Sequence, residues 1–245
     1  MKKIITVALL MIMGISTMFA QRLGNGRLGG PYSVNRLDTY DMYYGFRIGY
    51  NVSNLRFTAD DINPSAVSGM NFGIITGFPL GNSSVIFEPG LLYSVKGGKT
   101  KSETKNPASN IRTETYMHGL EIPLVLKYDL ALPTMADVSF QPFFGGYFDM
   151  GLGGKIKKED KLAANKDDQR AKLKTFSNRF KRFDAGLRMG VGVNIEFFYV
   201  ELAYDLGLAN LGRDTKAFTD VFPTYDNWED EVKTGNFSIN FGVNF

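Results

Sequence analysis

The chain has one histidine, His118, and no cysteine. Those two counts remove most routes to covalent or metal chemistry. There is no thiolate nucleophile and no disulfide framework, and no His/Cys cluster that could hold zinc. No metal and no cofactor are expected. Two candidate chemistries remain. His118 with an acidic or hydroxyl partner could serve a hydrolase. The carboxylates Glu88, Glu121, Asp149, Asp184, Glu201 and Asp205 could supply an acid–base pair, but no nucleophile or cleft residue accompanies them. A third feature is electrostatic. Residues 155–182 hold eleven Lys/Arg against four Asp/Glu, a net charge of +7. Lys157, Lys158, Arg170, Lys172, Lys174, Arg179, Lys181 and Arg182 could contact phosphorylated lipid headgroups or an acidic partner; a solvated loop is the plainer reading. The part at 161–176 lacks Gly and Pro and could form a short helix. Residues 210–233 carry three cations and six anions and could pack beside it.

The elements that must position these groups are strands. At 235–245, Phe237, Ile239, Phe241, Val243 and Phe245 alternate with Asn, Ser and Gly, the period of two that gives a strand one apolar face. The same period marks strands at about 43–52, 69–78, 84–96, 116–128, 138–153, 182–195 and 198–208. In each, one face is aromatic and aliphatic, and the other holds Gly, Asn and charges. The connections alternate in length: long at 53–68, 97–115, 154–181 and 210–233, short between. An even strand number with this alternation predicts an all-β fold, an eight-stranded antiparallel up-and-down transmembrane β-barrel with short periplasmic turns and long external loops. A soluble barrel or sandwich would have to bury eight bulky faces in one core, whereas an eight-stranded interior admits only modest side chains. Pro123 removes a ladder donor, so a bulge or local opening is expected beside it.

The polar faces then point inward. They carry Arg47, Lys96, Lys127 and Arg188 with the six carboxylates named above. Confined charges must be paired or hydrated, which predicts a salt-bridged network with Arg47, Glu88, Glu121, Lys127, Arg188 and Glu201 as its members. Inward glycines would leave some free volume, but eight strands do not enclose an open diffusion pore. His118 falls on the outward face with Leu120 and Ile122, at headgroup level, so a lipid A-modifying enzyme is the weakest reading and none is expected.

Residues 1–20 read as a cleaved secretory signal, with Lys2 and Lys3 before the apolar run of Ile4 to Ile15 and cleavage after Ala20. Residues 21–42 form a periplasmic lead-in and 43–245 the barrel. Beyond residue 20 no window of 18 apolar residues occurs, so no helical span is expected. Loss of Lys2 and Lys3 lowers the net charge from +3 to +1; no nucleic-acid partner is expected. Phe237, Phe241 and Phe245 resemble the aromatic signal that outer-membrane barrels present to the barrel assembly machinery during biogenesis.

Several runs are similar to strands of the PorT-like outer-membrane β-barrel family of Bacteroidetes: LEIPLVLKY at 120–128, FEPGLLYS at 87–94, PFFGGY at 142–147, FDAGL at 183–187, GVGV at 190–193 and YDLGLANL at 204–211. The resemblance covers about 43–245. It implies an outer-membrane barrel amid lipid that includes lipopolysaccharide. It also implies a secretion- or envelope-associated subunit or docking element with an outer-membrane protein partner. A narrow porin-type channel for small solutes is the alternative. Ala203 stands where the family pattern would allow Arg, so no lumen role is carried over to that position.

Overall fold

The computed structural model describes residues 42–57, 62–81, 83–103, 110–131, 138–160, 170–176, 180–213 and 231–245. The expected signal peptide, all of the lead-in except Met42, and Arg179 lie outside the described residues, as do the side chains of Arg170 and Lys172. The strands are β1 (Tyr43–Phe57), β2 (Ile62–Ser65), β3 (Val67–Pro79), β4 (Val85–Glu103), β5 (Asn110–Tyr128), β6 (Leu130–Ala131), β7 (Val138–Asp160), β8 (Arg170–Lys174), β9 (Phe183–Ile195), β10 (Phe198–Gly207) and β11 (Val232–Asn244).

Eight of them close a ring: β1 pairs with β3, β3 with β4, β4 with β5, β5 with β7, β7 with β9, β9 with β10, β10 with β11, and β11 returns to β1, all antiparallel. The short β2 adds to β4, and β6 and β8 add to β7. Closure gives every ring strand a partner on both sides, which is what a strand needs where no water can satisfy its backbone. The seam β1–β11 runs in unbroken register from Gly45↔Asn244 to Phe57↔Val232.

Side-chain parity decides which way each face looks. On β1, Phe46 and Ile48 are 58% and 54% exposed while Arg47 and Asn51 are 3% and 0% exposed. The strand ends Pro79, Val85, Tyr128, Val138, Ile195 and Phe198 lie at one end of the ring, with the turn at 196–197; Phe57, Val67, Glu103, Asn110, Asp160 and Val232 lie at the other. The tightest turn forces Glu196 to a φ of 54°, and the Asn194 amide braces it by donating to the Glu196 carbonyl at 3.1 Å.

The structure corrects two readings at the long-loop end. Residues 97–103, 110–115 and 154–160 are strand rather than loop, because β4, β5 and β7 overhang the apolar belt and continue their ladders. There the residues are mostly polar on both faces, with Ile156 too isolated to set a period, so hydrophobic periodicity is silent while backbone pairing continues. The short helix that 161–176 could form is not formed where the chain is described: 170–174 is β8, paired in register with 155–159. An overhanging strand offers a ready ladder, whereas a short isolated helix nucleates poorly; 161–169 lie outside the described residues.

Beside Pro123 the β4–β5 ladder opens. It runs to Pro89↔Leu124 and resumes at Leu92↔Glu121 without changing register. The bulge falls elsewhere, between His118 and Gly119, opposite Gly153 and Gly151 of β7. Above the bulge, Leu55, Met117, Ile156, Phe180, Leu211 and Val232 form an apolar cluster, with Phe57, Leu173 and Phe176 packed against it. Inward positions of the overhanging strands thus cap the charged interior with hydrocarbon.

Candidate functional site: a charged and filled lumen

The inward positions of successive strands bring opposite charges to one height. Arg47 of β1 lies 3.5 Å from Glu88 of β4, and Glu88 lies 2.8 Å from Lys127 of β5. Lys127 reaches Glu201 of β10 at 3.7 Å. Glu201 takes the Arg188 guanidinium of β9 at 3.0 Å, and Arg188 also holds Asp205 at 2.8 Å and Glu121 at 2.9 Å. Glu121 meets Lys96 of β4 at 2.5 Å, and Lys96 reaches Asp149 of β7 at 3.1 Å. Arg47, Glu88, Glu121, Lys127, Arg188 and Glu201 therefore belong to one continuous chain of alternating charge, and each is more than nine-tenths buried.

Neutral amides tie this chain to the wall. Asn240 donates to Glu201 at 2.9 Å, Asn236 to Asp205 at 2.8 Å, and Asn71 to Asn240 at 2.9 Å. Arg47 donates to Asn244 at 2.8 Å. Such bonds satisfy the carboxylate lone pairs that the cations leave over, which a buried charge requires. Asp184 is held differently, by the hydroxyls of Thr234 at 2.6 Å and Tyr147 at 3.1 Å.

Sequence reasoning missed the aromatic rings that fill the space between these charges. Tyr43, Phe143, Tyr147 and Tyr199 point inward and are buried. Tyr43 donates to Glu88, and Lys127 donates to Tyr199. The Tyr199 ring lies under the Arg47 guanidinium, 4.2 Å to centroid, and the Tyr147 ring lies 4.6 Å from the Lys96 ammonium, within cation–π range. All four share parity with neighbouring inward charges, a signal that by itself does not place a ring inside.

The rings also overturn the expectation of free volume at the inward glycines. A Cβ at Gly77 would stand 2.0 Å from the Tyr43 ring, one at Gly192 2.0 Å from the Tyr199 hydroxyl, and one at Gly190 2.5 Å from the Phe143 ring. These three glycines are seats for aromatic rings, and a Cβ at Gly45 or Gly49 would instead meet Asn244 or Asn240. Among the described residues, one cavity of about 20 Å³ lies near Asp149, Asp184 and Phe176, and another of about 10 Å³ lies near Arg47, Glu88 and Glu201. Each has room for about one water. Gly192→Ala should therefore cost about 1–3 kcal/mol by overpacking, because Tyr199 is pinned between Arg47 and Lys127 and cannot retreat. A lowered urea midpoint for unfolding of the detergent-folded barrel checks this; an unchanged midpoint would show a loosely packed lumen.

The other candidate residues lie outside the lumen. His118 is half-buried on the outward side, its Nδ1 2.8 Å from the Tyr93 hydroxyl. Lys157 and Lys158 stand on the overhang of β7, and Arg170, Lys172 and Lys174 on β8. Lys181 and Arg182 are exposed; Arg182 donates to the Gly151 carbonyl at 3.0 Å and covers the Phe176 ring at 5.4 Å. Phe237, Phe241 and Phe245 are exposed on the outward face of the closing strand. Glu114, on the β5 overhang outside the membrane-spanning part, lies 3.2 Å from Lys99 and 3.4 Å from Lys157. Burial works to raise its carboxyl, but the two ammonium groups hold it below the ordinary carboxylate range.

A family model described as an outer membrane protein beta-barrel domain matches residues 19–213. No curated protein sequence matches the chain. Among solved structures it is similar to Neisserial surface protein A, at 11% identity and a TM-score of 0.40, covering 82% of this chain and 97% of that one. It is also similar to Ail, the attachment invasion locus protein of Yersinia pestis (16%, 0.37, 83% and 98%). A third is the outer membrane protein OprG from Pseudomonas aeruginosa (12%, 0.40, 83% and 95%).

Proposed function

Because this chain belongs to the outer membrane protein beta-barrel domain family, we propose that it is a sealed, non-enzymatic barrel. In this reading it acts as a subunit or docking element of an outer-membrane assembly, PorT-like and secretion- or envelope-associated, after export by a cleaved signal peptide. The observation that carries the proposal is the filled lumen. A barrel whose interior is crossed by ion pairs from Arg47 to Asp149 and capped by Leu55, Ile156 and Phe180 offers a solute no path. Its surface is what it presents to the cell.

Two measurements test this. In planar bilayers the refolded protein is expected to give no conductance steps above leak; steps whose ion selectivity changes on Glu121→Gln would establish the narrow-channel alternative instead. Gentle detergent extraction from native outer membrane, followed by native mass measurement, is expected to show a second protein bound. A clean monomer would count against the docking role.

A further inference from the structure

One end of the lumen holds more negative charge than its own cations balance. At the end nearer the turn at 196–197, Glu88 and Glu201 stand with Arg47 and Lys127, charge for charge. Toward the apolar cap, Glu121, Asp149, Asp184 and Asp205 stand with Lys96 and Arg188, and Arg188 is shared with Glu201 as well. Each of these six is at most 9% exposed. Buried charge persists only when it is paired. The deficit falls on Asp184. It stands directly opposite Asp149 in the β7–β9 register, and like charges so placed repel. Lys96 answers Asp149 at 3.1 Å. Among the described residues no cation pairs with Asp184. Its Oδ2 accepts from the hydroxyls of Thr234 and Tyr147, and its Oδ1 is buried with no hydrogen-bond partner.

Beside this carboxylate lies the cavity of about 20 Å³. Asp149, Asp184 and Thr234 border it, with Met117, Phe176 and Leu211 on its apolar side. Its polar walls are fixed. At the β5 bulge, Gly119 seats the Asp149 carboxylate, since a Cβ there would stand 2.0 Å from Asp149 Oδ1. Thr234 donates to Asp184 at 2.6 Å, which leaves the lone pairs of its own oxygen free to face a ligand. Three cations also border the cavity. Lys96 is committed to Glu121 and Asp149. Lys181 and Arg182 are exposed, so water screens them, and the Arg182 guanidinium donates to the Gly151 carbonyl.

We propose that this cavity is a binding site for one small monovalent cation, sodium in size, held by the carboxylates of Asp184 and Asp149 with the Thr234 oxygen. Charge and volume together select it. A water would fill the space and leave the charge. A proton would remove one charge and leave the space. A divalent ion asks for more carboxylates than converge here: among the described residues no three Asp, Glu, His or Cys side chains form a metal-binding group. The bound ion ties β7, β9 and β11 together just below the apolar cap. The inference stands apart from the docking role: absence of a protein partner would leave it untouched.

The test follows urea unfolding of the full chain in detergent while sodium chloride replaces choline chloride at constant total salt. Screening is then the same throughout, and choline is too large for the cavity. The unfolding constant of the parent is expected to fall about tenfold for each tenfold rise in sodium above the dissociation constant. Asp184→Asn keeps an oxygen for Thr234 and Tyr147 but removes the charge, and its unfolding constant should not respond to sodium. Heat-modifiable mobility reports whether the variant has folded. Should it fail, Asp149→Asn is read in its place, with the same loss of response expected. A parent that does not respond to sodium overturns the proposal, as does a folded variant that responds as the parent does. So does a parent stabilised by lowering the pH from 7 to 5 and indifferent to sodium, because protons would then supply the missing charge.

Discussion

Arg188→Met is expected to destabilise the barrel by about 3–5 kcal/mol, the cost of stranding buried carboxylates when their shared cation is removed. Arg188 is 4% exposed and bonds three carboxylates at once: Asp205 at 2.8 Å, Glu121 at 2.9 Å and Glu201 at 3.0 Å. The three do not suffer equally. Glu121 keeps Lys96 at 2.5 Å, and Glu201 keeps Lys127 at 3.7 Å together with the Asn240 amide. Asp205 keeps the Asn236 amide and a distant Lys96 at 3.9 Å. It stands directly across from Arg188 in the β9–β10 register, so it is the group left most exposed to the loss. Asp205→Asn placed on the Arg188→Met background should restore part of the stability, with a coupling of about 0.5–3 kcal/mol. Urea unfolding of the detergent-folded protein, followed by heat-modifiable mobility, measures both. Lys157→Met is the control: its pair with Glu114 is half-exposed, and such pairs contribute at most about 1 kcal/mol. If Arg188→Met fell in that same small range, the lumen would be hydrated enough to screen its charges, and the sealed-barrel reading would lose its footing.

The parts of this architecture that were legible in the sequence share one property: they sit where apolar and polar residues alternate. Phe46, Ile48 and Tyr50 against Arg47, Gly49 and Asn51 declare both the strand and its inward charge, and the same parity points Glu88, Lys127, Arg188 and Glu201 to one interior. Parity alone could not assign Tyr43, Tyr147 and Tyr199. Tyrosine is common on outward faces, and only the glycines that the rings pack on, Gly77, Gly186 and Gly192, explain how such large rings fit inside. The overhangs were not legible because Thr113 and Thr115 alternate with Arg112 and Glu114, polar with polar, and Ile156 alone among Lys155, Lys157 and Lys158 sets no period. β8 was not legible because its pairing is set by a partner strand about fifteen residues away, not by its own pattern. The apolar cap was hidden for a related reason. Phe180 and Leu211 lie in segments without period, and they become one cluster only when β9 and β10 lead them over the mouth.

Replacing Phe241 and Phe245 together by Asp is expected to abolish the folded barrel. Both rings face the lipid, 56% and 47% exposed, on the strand that closes the ring. At Tyr44 and Phe245 the backbone exchanges two hydrogen bonds, the Phe245 N–H donating to the Tyr44 carbonyl at 2.7 Å and the Tyr44 N–H to the Phe245 carbonyl at 3.1 Å. Phe241 faces Ile48 two repeats of the pattern deeper. Each phenyl taken from hydrocarbon forfeits about 1.5–3 kcal/mol, and a carboxylate set against lipid adds a further penalty that grows with depth. A seam weakened by that sum need not close, and an open ring leaves the β1 and β11 edges without partners in a solvent that supplies none. The heat-modifiable band should vanish from outer-membrane fractions and from detergent refolding alike. The exchange of both residues for Leu separates packing from recognition. It keeps the apolar contact, so refolding in detergent should stay near the parent. If the assembly machinery reads the aromatic series Phe237, Phe241 and Phe245, as we propose, the Leu variant should still reach the outer membrane poorly in cells. Normal assembly of the Leu variant would dismiss the series as a signal and leave it a packing feature; normal assembly of the Asp variant would contradict the seam itself.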